Sequence, residues 1–128
     1  MIVVDTSALY AIVAGEPEAA RFGAIIKAAG RVLIGAPTAF EFRLVVMRKA
    51  IGIDAATAHR LLATPPFEIV AWTSDLVDLA SDAFDRFRGR PASLNYGDCM
   101  AYALAKSLDV PLLYKGGDFA STDIGSAA

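Results

Sequence analysis

Cysteine is almost absent from this chain: Cys99 is the sole example among 128 residues. No disulfide can form within the chain, and a cysteine-based zinc site is excluded. Histidine is as scarce. His59 has no second imidazole and no thiol partner suited to sharing a metal ion. An excess of basic charge is missing too, since 12 Lys and Arg stand against 14 Asp and Glu. Such a chain does not grip nucleic acid by charge alone, so an RNA substrate requires cations from elsewhere, bound metal ions being the obvious source. No apolar run reaches the ~18 residues of a membrane span. Met1 to Gly15 is apolar, but no basic residue precedes Arg21 and Asp5 interrupts the run, so no signal peptide is expected. Together these absences point to a cytoplasmic protein with no membrane contact.

Apolar content, by contrast, is plentiful. The chain is 55% hydrophobic, rich for a single domain spanning residues 1–128. Either abundant small alanine inflates that figure or apolar surface is covered by a partner, a second copy or another chain.

Strand and helix signals alternate from end to end. Ile2-Val3-Val4, Val32-Leu33-Ile34, Phe67 to Trp72 and Pro111 to Tyr114 read as strands, with a short fifth near Ile124. Helices are expected over Ala8 to Val13, from Glu16-Pro17-Glu18 to about Ala29, and over Thr38 to Ala50, stopped by Gly52. Asp54 caps a fourth that ends before Pro65, Ser74 to about Arg88 makes an amphipathic fifth, and Asn95 opens a sixth running to about Asp109. Apolar strands separated by helices imply a parallel sheet covered on both faces, with sites beyond the carboxyl ends of its strands.

Four acids fall where that rule expects a site. Asp5 follows the first strand, Glu41 and Asp98 each lie in the first turn of a helix, and Asp118 follows the fourth strand. Each has an ordinary explanation. Asp5 suits a helix cap, Thr38-x-x-Glu41 and Asn95-x-x-Asp98 both read as capping boxes, and Asp118 suits a turn after two glycines. Jointly those explanations weaken, because four carboxylates at one sheet edge repel one another and require cations. An all-oxygen donor set suits Mg²⁺ or Mn²⁺ rather than zinc.

Four segments together resemble the PIN-domain family, and within it the VapC-type toxins of type II toxin–antitoxin systems. They are Ile2 to Leu9 with Asp5-Thr6-Ser7, Ala36-Pro37-Thr38-Ala39-Phe40-Glu41, Leu94-Asn95-Tyr96-Gly97-Asp98-Cys99 with Ala101 to Ala105, and Leu112 to Phe119 followed by Thr122-Asp123-Ile124. The match spans the whole chain in order. It implies a three-layer α/β/α sandwich with a central parallel sheet of four to five strands and a helical clip made by the third and fourth helices. It also implies a metal-dependent endoribonuclease, homodimers, and a VapB-type antitoxin wrapped over the toxin in a hetero-oligomer. Asp5, Asp98, Glu41 and Asp118 then serve as the catalytic, metal-binding acids. Thr6 and Asn95 become candidates for orienting water or phosphate, although capping suits both better. Arg43 is a candidate phosphate contact, as are Arg86, Arg88 and Arg90, which equally suit a helix C-terminus. Relatives often carry an acid where Gly117 stands here, and Asp123 either compensates for it or is a surface turn residue. One of Phe40 and Phe42 is expected to face a partner.

Two other classes compete. A phosphate-transfer enzyme also wants acids after the first strand, but a haloacid-dehalogenase-type phosphatase needs Asp-x-Asp, and position 7 is Ser. A PIN-like module kept only for protein binding is expected to have lost acids, whereas all four are present.

Overall fold

The computed structural model describes residues 1–128 as one α/β unit. Four parallel strands form the sheet: β1 (Ile2–Val4), β2 (Val32–Gly35), β3 (Phe67–Val70) and β4 (Leu112–Leu113), in the order β3-β2-β1-β4. β1 pairs with β2 through Ile2↔Val32 and with β4 through Val3↔Leu112, so the two central strands are buried on both faces. The tail adds one parallel bridge, Leu112↔Ser126, where a fifth strand was expected.

Six helices cover the sheet: α1 (Thr6–Val13), α2 (Ala19–Ala29), α3 (Ala36–Lys49), α4 (Ala55–Leu62), α5 (Asp75–Phe87) and α6 (Tyr96–Leu108). Strand alternation divides the core into two layers. Ile2, Val4, Val32 and Ile34 pack with Leu9, Phe22, Phe42, Val46 and Leu62 of the first four helices. Val3, Leu33 and Leu112 face the other way, toward Leu76 and Ala83 of α5 and Tyr102 and Leu104 of α6. The result is the expected three-layer sandwich, with α3 and α4 packed together beside it.

Several boundaries differ from expectation, each for a physical reason. β3 stops at Val70 rather than Trp72, because its sole partner β2 ends at Gly35, paired with Val70. α3 starts at Ala36, two residues early, since Pro37 is tolerated in a first helical turn that needs no amide donor. It ends at Lys49, with Ala50 in the left-handed conformation ahead of Gly52. The earlier start moves Glu41 out of the first turn and into the second. Thr38 becomes a buried helical residue, so the expected Thr38–Glu41 capping box does not form.

The order of the strands reverses at β1. From β1 the chain runs outward through β2 and β3, then crosses to β4 on β1's other side. The carboxyl ends of β1 and β4, on either side of this reversal, are the usual ligand position in open parallel sheets.

Candidate functional site

Only three polar or charged residues are buried in the whole chain: Asp5, Thr6 and Thr38. Burial of polar groups is costly unless each finds a partner, and all three lie beyond the carboxyl ends of β1 and β2. Asp5 leaves β1 and caps α1, accepting hydrogen bonds on Oδ2 from the Ser7 backbone N–H (3.0 Å) and the Ser7 hydroxyl (2.6 Å). Burial pushes its carboxyl pKa up, the Ser7 bonds work against this, and the Glu41 carboxylate pushes the same way as burial. The Ser7 hydroxyl oxygen also accepts the Lys115 N–H (3.0 Å). One serine thus joins the end of β1 to the segment after β4.

Thr6 does not cap α1. Its hydroxyl donates to Glu41 Oε1 and more weakly to the Thr38 carbonyl (3.5 Å), so β1 and α3 are held together through the acid itself. On the far side Glu41 lies against Gly97 of α6. A Cβ on Gly97 would stand 2.1 Å from Glu41 Oε2, closer than any real contact. Glycine here leaves room for the Glu41 carboxylate against α6; a side chain at this position would displace the end of Glu41.

Asp98 takes part in the capping box expected of it. Asn95 Oδ1 accepts the Asp98 N–H (2.9 Å), and Asp98 Oδ2 accepts the Asn95 N–H (3.0 Å). Capping is not its whole environment, however. Desolvation and the nearby Asp5, Asp118 and Glu41 carboxylates, opposed by the Asn95 hydrogen bond, raise its pKa to about 6. The charges of Asp5, Glu41 and Asp118, from three other parts of the chain, are therefore felt at Asp98. Asp118 is the exposed member: it follows Gly117 at the start of a short 3₁₀ turn, Phe119–Ser121, and its side chain makes no capping bond. As placed, no three acidic, His or Cys side chains are grouped so as to hold a metal ion; Asp5, Glu41 and Asp98 each accept hydrogen bonds from within the protein.

Other candidates lie elsewhere. The Arg43 guanidinium meets the His59 ring on α4, so it is not with the acids. Arg86 is engaged with Asp82 (3.2 Å) and Asp123 (3.5 Å), and Arg88 stacks over Phe84. Asp123 neither joins the cluster nor is a free turn residue. It accepts from the Tyr102 hydroxyl (2.6 Å) and Lys106 Nζ (2.9 Å), and these partners with Arg86 hold its pKa down at about 2. Lys115, the one cation of the last segment, is taken up by Glu16 and Glu18 at 3.1 Å each. Of the two phenylalanines flanking Glu41, Phe42 is core and Phe40 is 62% exposed.

Sequence reasoning missed Ser7 and Gly97 as site residues. Ser7 had a signal in the Asp5-Thr6-Ser7 turn chemistry, in which Asp commonly bonds two residues ahead. Gly97 had a fainter one, a poor helix former inside the first turn of a helix that caps well.

A parallel sheet whose reversal point collects four carboxylates defines an α/β domain with an acidic carboxyl-edge site. Known proteins resemble this chain. The PIN-domain family model matches residues 2–125. The ribonuclease VapC30 of Mycobacterium tuberculosis is 38% identical over 99% of this chain and 98% of its own length. The crystal structure of Mycobacterium tuberculosis VapC20, described as a Sarcin-Ricin loop cleaving toxin, superposes with a TM-score of 0.75 at 19% identity, covering 97% of this chain and 96% of the other. A toxin–antitoxin complex from Klebsiella pneumoniae gives a TM-score of 0.74 at 18% identity, covering 96% and 93%. The chain belongs to the PIN-domain family, in its VapC branch. No helix is long and apolar enough to cross a membrane.

Proposed function

We propose that this protein is the ribonuclease toxin of a toxin–antitoxin pair, hydrolysing RNA phosphodiester bonds with Mg²⁺ or Mn²⁺ at Asp5, Glu41, Asp98 and Asp118. What supports the reading is the electrostatic environment of Asp98 beyond the carboxyl edge of the sheet, where burial and the Asp5, Asp118 and Glu41 carboxylates raise its pKa to about 6. Lys115, the cation of the last segment, is paired with Glu16 and Glu18 rather than with these acids.

The donors fit a hard cation. All are carboxylate oxygens, and a partly open set suits an ion that keeps several waters. Asp5 and Asp98 would hold the ion, each fixed through Oδ2 by hydrogen bonds within the protein. Glu41, held by Thr6, and the exposed Asp118 complete the site. When bound, the ion supplies positive charge to the phosphoryl oxygens and acidifies water. The chain itself contributes position: Thr6 and Gly97 fix Glu41, Ser7 fixes Asp5, and Asn95 fixes Asp98. RNA follows from the VapC relatives, which are named ribonucleases.

The partners are a VapB-type antitoxin and a second copy of the chain. α3 presents Phe40, Leu44 and Met47 on one exposed stripe, and Tyr96 of α6 is 78% exposed beside it. A cavity of about 280 Å³ between them is lined by Phe40, Leu44, Tyr96 and Glu41, so a partner seated there also reaches the site.

Cleavage of RNA by the purified protein in Mg²⁺ or Mn²⁺, stopped by EDTA, is the expected result. Asp5→Asn should abolish it while circular dichroism stays native, because Asn caps a helix about as well as Asp. Full activity in EDTA would rule out the metal; loss of folding in Asp5→Asn would reduce Asp5 to a cap.

A further inference from the structure

Asp98, Tyr102 and Lys106 stand four residues apart along α6, so they line one stripe with about 5.4 Å of rise per turn. The last two are the residues that hold Asp123. Tyr102 OH donates to Asp123 Oδ1 (2.6 Å) and Lys106 Nζ to Oδ2 (2.9 Å), with Arg86 of α5 at 3.5 Å. Asp123 lies five residues after Asp118, across the turn Phe119–Ser121.

We propose that Asp123, gripped by Tyr102 and Lys106, is a positioning latch that registers the Asp118 segment against the helix carrying Asp98. Its consequence for the ion rests on the metal reading above. Asp118 makes no capping bond of its own, so its place is set by what its segment is tied to. One tie is Phe119, 2% exposed and packed on Tyr114 with ring centroids 5.1 Å apart, which sets the depth of the turn. The latch is the second tie and sets the turn's position along α6. Exposed ion pairs by themselves hold little. The Tyr102 donor, however, belongs to a side chain 1% exposed in the core, so the grip inherits the rigidity of the sheet. Nor is the latch required to pin the tail. That is done independently by Leu112 N–H to the Gly125 carbonyl (2.8 Å) and Ala127 N–H to the Leu112 carbonyl (3.0 Å). What remains for Asp123 is the stretch upstream, which ends at Asp118. Asp123 is also held ionised, at about 2, so the grip persists across the working pH range.

The test is Asp123→Ala with two readouts, using the whole chain. In metal-free protein, amide exchange should quicken at Ala120 and Thr122, whose N–H groups bond to Gly117 and Phe119 carbonyls, while β1 and α6 stay protected. Mn²⁺ affinity, read by electron paramagnetic resonance, should fall about tenfold, the usual scale for a residue that supports a ligand. In an Asp118→Asn background the same change should cost no further affinity. Tyr102→Phe, which removes one oxygen and keeps the volume, should shift both readouts less and in the same direction, and it serves if Asp123→Ala does not fold. Unchanged exchange at Ala120 and Thr122, or an equal affinity loss with and without Asp118, overturns the latch. A wild-type chain that binds no Mn²⁺ overturns the metal reading instead, and exchange at these amides then decides the latch alone.

Discussion

Asp98 and Gly97 show how closely the local chemistry at the site is set. A carboxyl group with a folded-state pKa above its unfolded value binds its proton more tightly in the native state, so its ionisation destabilises the fold. For Asp98 that cost begins as pH passes the ordinary value of 3.8 and is complete above about 6. Without divalent ions, Asp98→Asn should therefore melt at a higher temperature than wild type at pH about 7.5. The gap should narrow as pH is lowered toward 4, and a gap that widened in acid would show that Asp98 is not desolvated. Gly97→Ala separates stability from function. Alanine is the better helix former by about 1 kcal/mol, and the atom in its way is the flexible end of Glu41. Its melting temperature should stay near that of wild type while RNA cleavage falls on the order of 100-fold, the scale of a small misplacement in an active site. Unimpaired cleavage would show that Glu41 can work from another position.

At the level of elements, helix starts do the positioning. α1 begins on Asp5, α6 begins on Asn95 and Asp98, and Glu41 lies in the second turn of α3. Capping and site chemistry share the same atoms in two of the three, which is why the sequence alone left both readings open. Asn95→Ala should lower stability by about 1 kcal/mol in urea denaturation, and Asn95→Ser should restore most of it. Cleavage should drop in Asn95→Ala, because Asp98 loses the N–H acceptor that orders the turn. Equal stability of the two variants would remove the cap from the account. α3 is where sequence reasoning misplaced a residue. Thr38-x-x-Glu41 fits a capping box, but Pro37 is accepted one place before Thr38 and the helix starts earlier. The pattern was real, and its register depended on where β2 ran out at Gly35.

For the molecule as a whole, the site's acidity is a stability question. On the metal reading proposed above, the metal-free protein is the less stable form, because the acids then lack a cation to offset their repulsion. A ligand bound only by the folded state stabilises it by about 2.7 kcal/mol at one hundred times its dissociation constant. Thermal melts with increasing Mn²⁺ should rise on the order of 10 °C at that excess, and Asp5→Asn should lose most of the rise. Flat melts in wild type would mean that these acids do not hold the ion.

The type and order of the four strands and six helices, and the parallel sheet with helices on both faces, were legible in the primary structure. They depend on short-range quantities: apolar β-branched runs, helical periodicity, and an acid directly after a strand. Distances between remote segments were not legible. That Thr6 bonds Glu41 follows from α1 packing on α3, that Ser7 bridges Asp5 to Lys115 from β4 docking beside β1, and that Gly97 admits Glu41 from α6 lying against α3. The partners of Asp123 and the diversion of Arg43 to His59 belong to the same class. Local sequence determines which residues can begin a helix or end a strand; only packing in three dimensions determines which charges meet, because those encounters join segments separated by tens of residues.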